Sequence, residues 1–146
     1  MEEVKIQGGS NFLRIIVEEA YGFPNQTCHA GGYDTRSLLE INCGAFTAKA
    51  SLYLSTGELF KFYESLSDAN EKLKGSVHFN NYEENLEFDI KYDVNGHILI
   101  TGSFYAHDSF VSKLIFDFES DQSYIQSTIK QLNIIVNKYG GMTGIK

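Results

Sequence analysis

The chain contains no tryptophan, one proline and two cysteines among its 146 residues. Each shortage closes off a class of function. Two cysteines cannot make the disulfide framework of a small secreted domain. Cys28 and Cys43 also lack the CxxC spacing of a structural zinc site, and the four histidines fall into no HxH or HExxH pattern. Without tryptophan, a sugar-stacking platform would rest on tyrosine and phenylalanine alone. The one proline, Pro24, fits a loop over 21–34 and not a linker between domains. No run approaches the roughly 20 apolar residues of a membrane-spanning helix. The opening MEEVKIQGGS is acidic and has no apolar stretch, so it does not read as a secretory signal, and a cytoplasmic protein is expected. Basic residues are scarce too: twelve against nineteen acids, a formal charge of −7. That balance argues against direct contact with nucleic acid or an anionic membrane, and it permits a basic protein partner.

What the chain does have is core material. Its 42% hydrophobic content, with eleven Phe and nine Tyr, suffices for one domain spanning 1–146. NFLRIIVE (Asn11 to Glu18) is rich in β-branched and aromatic residues and predicts a strand. Leu39, Ile41 and Cys43 alternate with polar neighbours. Phe46, Ala48, Ala50, Leu52 and Leu54 do the same beyond a hairpin turn at Gly44. Ser55 and Glu58 then have the spacing of a capping box. Leu59, Phe62, Tyr63, Leu66 and Leu73 follow with helical period, predicting a helix from about Thr56 to Leu73. Strand alternation returns at Leu86, Phe88, Ile90 and Tyr92, and Asn95-Gly96 signals a type I′ turn. Ile98, Ile100 and Phe104 continue the pattern, and Leu114, Phe116 and Phe118 make the last strand. From an Asp121 N-cap, a stripe from Tyr124 through Ile125, Thr128, Ile129, Leu132, Ile135 and Val136 to Tyr139 predicts a C-terminal helix ended by Gly140-Gly141. Connections this short favour antiparallel pairing. The expectation is an α+β domain: about six to seven antiparallel strands, sandwich-like in one packing, with two helices covering a face or an edge. Its core would span about 11–139, leaving 140–146 as a loose tail.

The most reactive-looking stretch is CHAGGYDTR, Cys28 to Arg36. Adjacent Cys28 and His29 do not place a nucleophile and its base on one axis, and His78, His97 and His107 stand at no telling distance. Gly31-Gly32 lacks the Walker and GxGxxG patterns and reads as a turn requiring positive φ, with Asp34 bonding turn amides. No GxSxG occurs. A non-enzyme without metal or cofactor is expected.

With these elements in place, the run from GGYD through SLLEINCG and LYLSTGELFKFYESL to DQSYIQSTIKQLNII resembles the WapI-type immunity proteins of bacterial polymorphic toxin systems. Tyr33-Asp34, Glu58-Leu59 and Gln131-Leu132 are the matching stretches, and the resemblance covers roughly Phe12 to Val136. Family members often carry tryptophan where this chain has Tyr33 and Phe62 or Tyr63. The resemblance implies a small cytoplasmic protein that binds and neutralises a cognate toxin domain, and it carries over no catalytic residue. An acidic surface suits a basic toxin such as a nuclease, through charge complementarity and steered association. The chain would act as a monomer or weak dimer. A small-molecule-binding module and a non-catalytic subunit of a larger assembly remain the alternatives.

One segment concentrates charge. Between Tyr82 and Asp93 lie five carboxylates and one lysine. With Leu86, Phe88, Ile90 and Tyr92 turned inward, Glu87, Asp89 and Asp93 share the wet face, and Glu83 and Glu84 stand at its start. Tyr82, Glu83, Glu84, Glu87, Asp89 and Asp93 are therefore the expected partner-binding residues. The alternative is a simply solvated strand face.

Overall fold

A computed structural model of the protein describes residues 1–106 and 112–145. The elements run β1 (Glu3–Gly8), β2 (Asn11–Ala20), β3 (Asp34–Cys43), β4 (Phe46–Ser55), α1 (Thr56–Lys72), β5 (Gly75–Asn80), β6 (Leu86–Tyr92), β7 (Ile98–Tyr105), β8 (Lys113–Ser120) and α2 (Gln122–Tyr139). Strands β1 to β4 form a first sheet in chain order and β5 to β8 a second, every neighbouring pair antiparallel.

The expected α+β architecture with a C-terminal helix is present, but the six to seven strands become eight. The additions are β1 and β5, six residues each. Each buries only two apolar side chains, Val4 and Ile6 in β1, Val77 and Phe79 in β5. So short an alternation barely rises above loop composition, and pairing with longer neighbours defines it. With Val4 and Ile6 buried, packing begins ahead of residue 11.

The inner faces of both sheets and the buried stripes of both helices form one continuous core. Phe79 and Phe88 stack at 5.0 Å between ring centroids, and Phe62 of α1 meets both edge-on at 5.6 and 5.4 Å. These three rings fasten α1 to the second sheet. The capping box forms as expected: the Glu58 amide donates to Ser55 Oγ at 3.1 Å, and the Ser55 amide to Glu58 Oε1 at 2.8 Å. Asp121 caps α2 through the Tyr124 amide at 3.0 Å.

Three local expectations are corrected. Leu73 is not on the buried stripe of α1: it adopts φ 52° as the left-handed C-cap and is 47% exposed. Phe46 does not join Leu52 and Leu54 in the core; it lies 67% exposed, bordering an open cleft with Phe104 and Leu114. The Asn95-Gly96 turn is not type I′, because only Gly96 takes positive φ, 81°. Asp93 and His97 close a three-residue loop instead, the Asp93 amide donating to the His97 carbonyl at 3.0 Å.

Candidate partner-binding surface

The CHAGGYDTR loop turns out to be a structural clasp. Gly31 and Gly32 take φ of 97° and 63°, the positive angles the turn requires. The Gly32 amide donates to the Met142 carbonyl at 2.7 Å, the Gly57 amide to the Gly31 carbonyl at 3.2 Å, and the Tyr33 amide to Thr56 Oγ1 at 2.8 Å. Tyr33 is fully buried; its hydroxyl donates to the Pro24 carbonyl at 2.9 Å and accepts from the Ile145 amide at 3.2 Å. The loop thereby ties the start of α1 to residues 140–145, which are pinned where a loose tail was expected. Cys28 Sγ lies 3.5 Å from the Gly31 carbonyl, and both cysteines are free thiols. Among the described residues, no three His, Cys, Asp or Glu side chains gather as a metal site.

Asp34 makes a different bond from the one its turn position suggests. Instead of a turn amide, its Oδ1 accepts the Tyr82 hydroxyl at 2.8 Å. Burial and the Asp34 carboxylate together push the Tyr82 phenol well above its ordinary range. Burial also raises the Glu58 carboxyl, against the Ser55 hydrogen bonds that lower it. Tyr82 thus locks the β5–β6 turn onto the first sheet, across 48 positions of sequence.

The six expected partner-binding residues separate. Glu87 and Asp89 do lie on the outer face of β6, with Asp89 Oδ1 2.9 Å from His78 Nδ1 on β5. Glu84, in the left-handed region at φ 57°, borders a shallow depression it shares with Glu87, Ser103, Tyr105 and Lys113. Glu83 is exposed in the same turn. Tyr82 faces Asp34. Asp93 sits in the β6–β7 turn and bonds its own loop: its Oδ1 accepts the His97 amide at 2.9 Å and the Asn95 amide at 2.8 Å. Those amides, His97's foremost, hold its carboxyl below the usual range.

Strand pairing supplies two carboxylates that the local segment could not. Across the outer face, His78, Asp89, Thr101 and Asp117 lie in one row, and Lys91, Leu99 and Glu119 in the next. A third row runs Asn80, Glu87, Ser103, Ile115. Asp117 and Glu119 belong to β8, whose KLIFDFES alternation was the available signal. The face thus carries Glu87, Asp89, Asp117 and Glu119, against Lys91 and Lys113, around three exposed apolar side chains, Leu99, Tyr105 and the 75% exposed Ile115. Among the described residues only Asp89 of the four has an ionic partner, His78. These carboxylates sit on β6 and β8, one strand apart across β7, and a large exposed aliphatic such as Ile115 forgoes burial, so neither feature adds to the stability of the free protein.

The immunity protein WapI-like family matches residues 5–140 of the chain. No curated protein matches it. Among solved structures, a chain of the "CdiA-CT/CdiI toxin and immunity complex from Enterobacter cloacae" is similar over 82% of this chain and 97% of its own, at 9% identity and a TM-score of 0.47. A likeness that slight bears on neither partner nor mechanism.

Proposed function

The chain belongs to the immunity protein WapI-like family and is an immunity protein that neutralises a toxin; we propose that it does so without catalysis, by stoichiometric binding of a basic toxin domain through the outer face of the second sheet. One observation carries the reading: Glu87, Asp117 and Glu119 stand without ion-pair partners among the described residues, on a rigid paired sheet and beside exposed Ile115 and Leu99. Unpaired surface charge of one sign accelerates encounter with a partner of the other sign. Exposed apolar side chains at the centre of such a face then supply the contact that holds it. Glu84 and Glu83 extend the face at the β5–β6 turn, whereas Tyr82 and Asp93 act in place, as a tether and a turn cap.

Titration of toxin activity tests the mode of action. The probe is the cognate toxin domain, assayed on its own substrate with rising amounts of the protein. Binding inhibition predicts a linear loss of activity with a break at one equivalent. Complete loss far below one equivalent would instead mean that the chain destroys toxin or substrate catalytically. Undiminished activity above one equivalent would exclude neutralisation of that toxin.

A further inference from the structure

The two outer edges of the first sheet are treated differently. Each edge strand offers unpaired N–H and C=O groups, which have to be satisfied or protected. At β1 the rest of the protein satisfies them. The Lys5 amide donates to Gln131 Oε1 at 2.7 Å, the Lys5 carbonyl accepts from Thr128 Oγ1 at 2.6 Å, and the Gln7 carbonyl accepts from Ser120 Oγ at 2.5 Å.

At β4, among the described residues, nothing comparable happens over residues 47–51. The β3–β4 turn has two residues, Gly44 and Ala45, so the flanking pair Cys43–Phe46 exchanges both hydrogen bonds. By the alternation of an antiparallel ladder, Ala48 and Ala50 bond β3 as well, which turns the amides and carbonyls of Thr47, Lys49 and Ser51 outward. Among the described residues none of these outward groups has a partner. No proline interrupts the strand, and its one charge, Lys49, is paired with Glu40 at 3.4 Å. Among the described residues, neither a proline nor an unanswered charge protects this stretch of the edge.

This edge borders an open cleft of about 990 Å³. Phe46, Ala48 and Ala50 form one wall, Phe104 and Leu114 the other, and Lys49 and Lys113 flank it. Lys113 also borders the depression on the outer face of the second sheet, so the cleft and the proposed toxin-binding face adjoin at that residue.

We propose that the β4 edge receives an extended segment of the toxin, added as a further antiparallel strand along Thr47 to Ser51. The idea rests on the immunity reading above and deepens it. A row of backbone donors and acceptors at ladder spacing is complementary to another backbone. The segment's inward side chains, every second residue, would be apolar to cover Phe46, Phe104 and Leu114, and a carboxylate would complement Lys113. A second copy of this chain fits worse: its own edge is recessed beside an identical wall, and pairing centred on Lys49 would oppose two lysines.

Amide hydrogen exchange on the free protein and on its co-purified complex with the cognate toxin domain tests the proposal. The amides of Thr47, Lys49 and Ser51 should lose exchange in the complex, while those of Ala48 and Ala50, already bonded to β3, change little. Ser51→Pro deletes an outward donor that β3 does not use and should weaken binding at least about tenfold, whereas Ser51→Ala keeps that donor and should not. A complex that forms with the three edge amides still exchanging contradicts strand addition and leaves the family function standing. No complex with the wild-type protein would contradict the function itself. A free-protein dimer abolished by Ser51→Pro would assign the edge to a second copy and overturn the toxin as occupant.

Discussion

The outer faces of the two sheets are built from the same alternating pattern and end in opposite electrostatic conditions. On the first sheet, Lys5, Arg14, Glu40 and Lys49 lie in register across all four strands. Arg14 bonds Glu40 at 2.7 Å, Glu40 pairs with Lys49 at 3.4 Å, and Glu3 approaches Arg14 at 3.6 Å. On the second sheet Thr101 stands between Asp89 and Asp117, Leu99 between Lys91 and Glu119, and Ser103 between Glu87 and Ile115, and only His78–Asp89 is paired in these rows among the described residues. A face that answers its own charges contributes to folding. One that leaves them open keeps them available to a partner, at a small cost in the free state.

Removing the shared support beneath the second sheet has the largest expected effect. Phe88, 1% exposed and packed between Phe79 and Phe62, should cost about 3–5 kcal/mol on truncation to Ala, read as a fall in the urea midpoint. Breaking the first sheet's charge row comes next. Arg14→Ala leaves the Glu40 carboxylate, whose side chain is only 14% exposed, with Lys49 alone, and should cost about 1–3 kcal/mol. The same operation on the second sheet, Glu87→Gln or Glu119→Gln, should move stability by no more than about 0.5 kcal/mol. If Arg14→Ala and Glu119→Gln behave alike, the contrast between the faces is not energetic.

The smallest effect is confined to acid. Asp93 has a folded pKa below its ordinary 3.8, so its contribution is fully present above that pH and is lost as pH falls through the lower folded value. The stability gap between the protein and its Asp93→Asn variant should be open at pH 5 and close toward pH 2. A gap independent of pH would mean the His97 and Asn95 amides do not act through the charge.

Local pattern carried most of the fold, because most elements here are long enough to show their period. The Ser55–Glu58 box, the α2 stripe and the β6 alternation each sit within one segment and need no partner to be recognised. What sequence pattern missed depends on pairing across the chain. β1 and β5 have too few apolar positions to be seen alone. Asp117 and Glu119 become neighbours of Asp89 and Lys91 only through β7. Tyr82 stands among acids in the sequence, and its bond to Asp34 removes it from the face it was grouped with. Asp93 shares its strand's alternation but lies one residue past the ladder, where loop amides claim it. The candidate surface was therefore half legible: Glu87 and Asp89 from periodicity, the other half from topology.

Where the toxin lands is decided most directly by association kinetics with two charge-matched variants. One reverses Glu87, Asp117 and Glu119 to Lys on the second sheet; the other reverses Glu64, Asp68 and Glu71, exposed acids of α1, to Lys. Both shift net charge equally, so a general field effect slows both alike. Docking on the second sheet predicts that its variant, still folded, associates far more slowly and loses most of its salt dependence, while the α1 variant stays near the unmodified protein. Equal on-rates for the two variants would contradict it.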